Sequence, residues 1–97
     1  MNSREFWQSL AAPAPPPGLS KLVQALWYDA KGDWDRAHQI TQSVKGKTSA
    51  RVHAYLHRKE GDLDNANYWY DLSDMKMPKI PVEKEWEALV TELLRGA

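Results

Sequence analysis

The sequence predicts an all-α protein built from two helical hairpins and a closing C-terminal helix. Apolar residues recur at i, i+3, i+4 and i+7 along most of the chain, the spacing of one helix face. No stretch alternates with period two over a useful length, so no strand is expected. A Gly-Asp pair, suited to stop one helix and cap the next, occurs twice, at Gly32-Asp33 and Gly61-Asp62.

Each element follows from its residues. Ser3 to Leu10 reads as a short helix, with Ser3 as N-cap and Phe6, Trp7 and Leu10 on one side. Residues 1–10 thus form a short N-terminal helix, followed by a Pro-rich linker over 11–18 and a hairpin domain over 19–97. The linker's prolines lack the backbone donor and favour extended geometry, and a spacer role outweighs that of a ligand for a proline-reading domain. Leu19, Leu22, Val23, Leu26, Trp27 and Ala30 form the stripe of the first long helix, which Gly32 ends cheaply in a left-handed conformation. Asp33 caps the next helix, Asp35 favours its positive end, and Trp34, Ala37, Ile40 and Val44 face inward. Lys45-Gly46-Lys47 breaks that helix. Thr48 or Ser49 caps a third helix running to about Glu60. Leu63, Ala66, Trp69 and Tyr70 line a fourth. Pro78 and Pro81 precede a last helix striped by Trp86, Leu89, Val90, Leu93 and Leu94.

Composition narrows the function classes. A chain of 97 residues folds as one domain with one modest core. Lys and Arg number 13, as do Asp and Glu, so the formal net charge is zero. That removes the electrostatic drive toward nucleic acid or an anionic membrane. No Cys is present, which excludes disulfides, a thiolate nucleophile and a cysteine zinc site. This fits a reducing compartment, and a cytoplasmic location is expected. No segment reads as a signal peptide or a membrane span. No Gly-x-Ser-x-Gly, phosphate-binding glycine loop or calcium loop occurs, so no catalytic residue and no cofactor is predicted; a non-catalytic role is favoured over the alternative of an enzyme that uses His53 and His57.

Gly32-Asp33-Trp34-Asp35-Arg36-Ala37 matches Gly61-Asp62-Leu63-Asp64-Asn65-Ala66 at an offset of 29 residues. Each unit is helix, tight reversal, helix, and such hairpins bury their apolar faces by stacking. With Tyr28 before the first turn and Pro78 after the second unit, this pattern resembles the tetratricopeptide repeat over Leu19 to Pro78. Val82 to Arg95 is similar to the solvating helix that closes such arrays. The resemblance implies a short array of two hairpins plus a C-terminal helix, and recognition of a protein or peptide. The segment His53 to Asp62, with Asn65-Ala66 and Tyr68-Trp69-Tyr70, also resembles a group of small proteins sharing this core, which implies no particular activity. Two hairpins are fewer than the usual three or so, which favours self-association through the final helix or the N-terminal arm.

Two candidate sites emerge on the third helix. First-helix positions of each repeat line the concave surface in the resembled family, which places Arg51, Tyr55, Arg58 and Lys59 toward a ligand, with Trp69 as an aromatic anchor. Arg is suited to gripping a carboxylate, as in an acidic or C-terminal peptide. The plain alternative is a solvated face with local pairs from Arg58 or Lys59 to Asp62. The second candidate is a metal or small-molecule site at His53 and His57, which share a helix face at i, i+4, joined by Glu60. Its third strong ligand is missing locally, and His38 reaches it only through tertiary packing. The alternative is structural, with both imidazoles packed inside. Of the tryptophans, Trp27, Trp34 and Trp86 are assigned to the core and Trp7 and Trp69 to a surface. Tyr70 is expected inward and Tyr68 outward. Aligning the repeats sets Asp29-Ala30 against Arg58-Lys59, which predicts a charge gradient along the array.

Overall fold

The computed structural model describes residues 1–96. Six helices follow one another: α1 (Ser3–Ser9), α2 (Lys21–Ala30), α3 (Trp34–Gln42), α4 (Lys47–Glu60), α5 (Leu63–Leu72) and α6 (Val82–Leu94). No strand occurs among the described residues, so the chain is all-α. None of these helices is long and apolar enough to cross a membrane.

The two Gly-Asp turns are the same structure used twice. Asp33 N–H donates to the Tyr28 carbonyl at 2.9 Å, and Asp62 N–H donates to the His57 carbonyl at 2.9 Å. These bonds close each preceding helix through a left-handed glycine, Gly32 at φ 87° and Gly61 at φ 92°. Each Asp side chain then accepts from the third amide of the next helix, Arg36 N–H or Asn65 N–H, at 3.2 Å. Ala37 and Ala66, also 29 residues apart, are both fully buried and let the paired helices approach closely. A third closure of this type ends α5, where Met75 N–H donates to the Tyr70 carbonyl at 3.1 Å. Its left-handed residue is Asp74, φ 60°, which no glycine announces in the sequence.

Three helix starts differ from expectation. Asn2 rather than Ser3 caps α1, accepting from Glu5 N–H at 2.8 Å while the Glu5 carboxylate accepts from Asn2 N–H at 3.1 Å. Ser20 caps α2, so Leu19 lies just outside that helix. Helix α4 begins at Lys47, behind Gly46 and without a side-chain cap. Ser49 is buried instead, and its hydroxyl donates to the Thr41 carbonyl at 2.9 Å, tying α4 to the end of α3.

Helix α2 packs on α3, α4 on α5, and α3 joins the two hairpins through α4. Helix α6 lies across α2 and α4, and α1 packs on α6. The main core contains Leu22, Leu26, Trp27, Val52, Leu56, Leu89 and Val90, with Phe6 reaching in from α1. Indole N–H groups stitch the elements: Trp27 to the Ser9 hydroxyl at 3.2 Å, Trp34 to the Leu56 carbonyl at 2.8 Å and Trp86 to the Leu26 carbonyl at 3.0 Å. Of the three tryptophans assigned to the core, Trp27 and Trp86 are buried and Trp34 is half-buried at its edge.

Candidate functional site: a three-histidine cluster on α3 and α4

The i, i+4 spacing on α4 places the His53 and His57 rings 4.9 Å apart, nearly parallel. Packing of α3 against α4 then adds His38, whose Nε2 lies 2.9 Å from His53 Nε2. One of these nitrogens donates and the other accepts. A ligand atom from each of the three histidines lies within 4.8 Å of the others. His53 and His57 are only 5% and 6% exposed, and His38 is half-buried.

Two indoles enclose the cluster. Trp34, one turn before His38, stacks on it at 4.8 Å, and Trp69 from α5 stacks on His53 at 3.8 Å, both within 11° of parallel. Glu60 stands outside, its carboxylate 2.7 Å from His57 Nδ1. A carboxylate only accepts, so Nδ1 carries the hydrogen, while Nε2 faces the Asn65 amide at 3.3 Å. Glu60 therefore orients the ring through Nδ1, and Nε2, the remaining acceptor, takes a hydrogen from the Asn65 amide that a metal ion would have to displace. Burial, then the neighbouring His38 and His57, lowers the His53 pKa to about 4. Burial also lowers that of His38, followed by His57 and opposed by Glu60 and Asp35. Both rings are thus neutral at pH 7 and hold lone pairs, the form that ligates metals. Beside His53 and Trp69 a cleft of about 610 Å³ opens between α3, α4 and α5.

The other candidate residues are distributed differently. Tyr55 is buried, and its hydroxyl donates to Asp29 Oδ2 at 2.6 Å. Lys59 Nζ holds the other oxygen of that carboxylate at 2.9 Å. Arg58 donates to Glu85 Oε1 at 2.8 Å and to the Ile80 carbonyl. Glu85 also accepts from the Tyr70 hydroxyl at 2.6 Å. Arg51 pairs with Glu92 of α6. These four residues of α4 meet α2 and α6, while Trp69 belongs to the histidine side, so the five share no common surface. The expected pairs to Asp62 do not form, because Asp62 caps α5. Asp29 and Glu85 are 1% and 2% exposed. Each is clamped by a tyrosine hydroxyl and a cation, and burial first, then the adjoining carboxylate, pushes both tyrosine pKa values up. The Asp29–Lys59 pair joins the two halves whose charges the repeat alignment set apart. As expected, Tyr70 is buried and Tyr68 exposed.

His38 was legible as a residue that could reach the pair only through tertiary packing, and it lies off the expected Trp34, Ala37, Ile40, Val44 stripe; the packing of α3 on α4 brings it to His53. Asn65 carried no signal beyond its place after a cap. Comparison with protein-family models, curated proteins and solved structures finds no match for this chain.

Proposed function

We propose that the protein binds a divalent transition-metal ion of the zinc type through His38, His53 and His57, on a scaffold of two tetratricopeptide-like hairpins. The observation supporting this is the convergence of three imidazoles from two helices, their ligand atoms all within 4.8 Å. Imidazole suits zinc, copper, iron and nickel. With zinc–nitrogen bonds of about 2.0–2.1 Å, tetrahedral geometry sets neighbouring nitrogens about 3.3 Å apart. The His38–His53 separation of 2.9 Å is close to that, and modest ring rotation opens it. Glu60 on His57 Nδ1 matches the carboxylate–histidine–metal arrangement, in which the outer partner fixes the ring and raises its basicity. Peptide recognition through Arg51, Tyr55, Arg58, Lys59 and Trp69 has weaker support, because each of these side chains is engaged within the fold.

Loading with zinc, then desalting and elemental analysis, tests the reading. About one ion per chain is expected. At a hundredfold excess of free ion over Kd, stabilisation is about 2.7 kcal/mol, a rise in Tm of roughly 10 °C or more for a domain of this size. His38→Ala, at the half-exposed member, keeps the fold and loses the ion. A folded protein that retains no metal, or a His38→Ala variant that binds it equally well, overturns the proposal.

A further inference from the structure

On the opposite side of α4, a cavity of about 290 Å³ lies between α1, α2 and the start of α6. We propose that it is a second binding site, for a small organic ammonium cation with an apolar tail. Its size is at the lower end of small-ligand pockets, which are mostly apolar with a few placed polar groups. Trp7, Leu10, Val82 and Trp86 form apolar walls. Trp7 is 62% exposed although its neighbour Phe6 is fully buried. Its ring stands edge-on to Trp86, centroids 5.7 Å apart at 74°, so the two indoles form a corner.

The charge around this corner selects the ligand. Asp29, Glu83 and Glu87 line the cavity against one cation, Lys59. Asp29 sits at the floor, and Lys59 reaches it from a 41% exposed side chain. The floor therefore already accepts an ammonium group. Glu83 and Glu87, one turn apart on α6, leave the rim with an excess of negative charge, and among the described residues the one ion pair either makes is a 3.4 Å contact from Lys84 to Glu87 between two exposed side chains. An indole face beside carboxylates attracts a cation through the ring quadrupole and through direct charge. The same lining repels an anion and offers a neutral apolar molecule no charge complement.

Phenethylammonium, titrated into the full-length chain with EDTA present, tests this independently of the histidine site. The readouts are tryptophan fluorescence and calorimetry. Saturable binding is expected, about tenfold weaker for the neutral 2-phenylethanol and undetectable for phenylacetate. The double variant Glu83→Gln/Glu87→Gln changes only exposed side chains, and circular dichroism confirms its fold. It weakens phenethylammonium about tenfold, and Trp7→Ala weakens it by a similar factor. Absence of saturable binding overturns the proposal. So does equal affinity for 2-phenylethanol, or unchanged affinity in both variants.

Discussion

Arg58 holds a carboxylate that water hardly reaches, since Glu85 is 2% exposed and receives both the guanidinium and the Tyr70 hydroxyl. Breaking a buried pair by removing one partner costs about 3–5 kcal/mol, because the remaining charge is stranded. Arg58→Glu is therefore expected to lower stability by at least that much in urea unfolding, whatever it does to a partner. Glu85→Gln keeps acceptor and shape and should cost less. His53 acts in the opposite sense. Its pKa is about 4 in the fold and about 6.5 in the unfolded chain. The unfolded state gains a proton first as pH falls, so this contribution is complete above about pH 6.5 and is lost toward pH 4. In metal-free protein, stability should fall by up to about 3 kcal/mol across that window. His53→Gln should flatten the profile, which denaturant melts at several pH values will show.

At the level of elements, the reversals carry the architecture. The 29-residue repeat, the two glycines and the two capping aspartates were readable because they are local: a cap acts over three residues and a turn over five. The turn after α5 escaped notice because Asp74 replaces glycine there, and an aspartate reports left-handed geometry only weakly. The start of α4 was placed late because Thr48 and Ser49 look like caps, whereas Ser49 turns to the Thr41 carbonyl. A Cβ built on Gly32 or Gly61 would meet nothing within 4 Å, so substitution is penalised by the backbone alone. Gly61→Ala should cost about 1–2 kcal/mol, the left-handed penalty of an L-residue. Gly32→Ala should cost the same, and the double variant the sum. Thermal melts of the three proteins check this, and a smaller sum would mean that the turns are coupled.

For the whole molecule, α6 and α1 complete the main core, while Ala54, Ala66 and Tyr70 form a second, smaller one between α4 and α5. Helix α6 spans both hairpins, with Trp86 donating to the Leu26 carbonyl, and Phe6 of α1 packs on Trp86 with ring centroids 5.9 Å apart. Lys31 anchors the start of the Pro-rich arm, donating to the Leu10 carbonyl at 2.7 Å and that of Ala12 at 3.2 Å. Phe6→Ala should cost about 3–5 kcal/mol, with tryptophan emission shifting to longer wavelength as Trp86 and Trp27 meet water. An unchanged melt would show that α1 contributes little to the core.

Helix identity, the two Gly-Asp turns and the partnership of His53 with His57 follow from sequence alone, because each depends on spacings of a few residues that the helix repeat converts directly into faces; the core stripes follow in part, since Ala30 and Leu63, read into them, are exposed. Tertiary structure decided the rest. His38 meets His53 across 15 residues, Arg58 meets Glu85 across 27, and Lys59 meets Asp29 across 30. Those distances depend on how α2, α3 and α6 settle against α4. That placement follows from the best simultaneous burial of many side chains, and no local spacing encodes it. The same packing that turns the four α4 candidates Arg51, Tyr55, Arg58 and Lys59 toward α2 and α6 gathers three imidazoles on the other side of that helix.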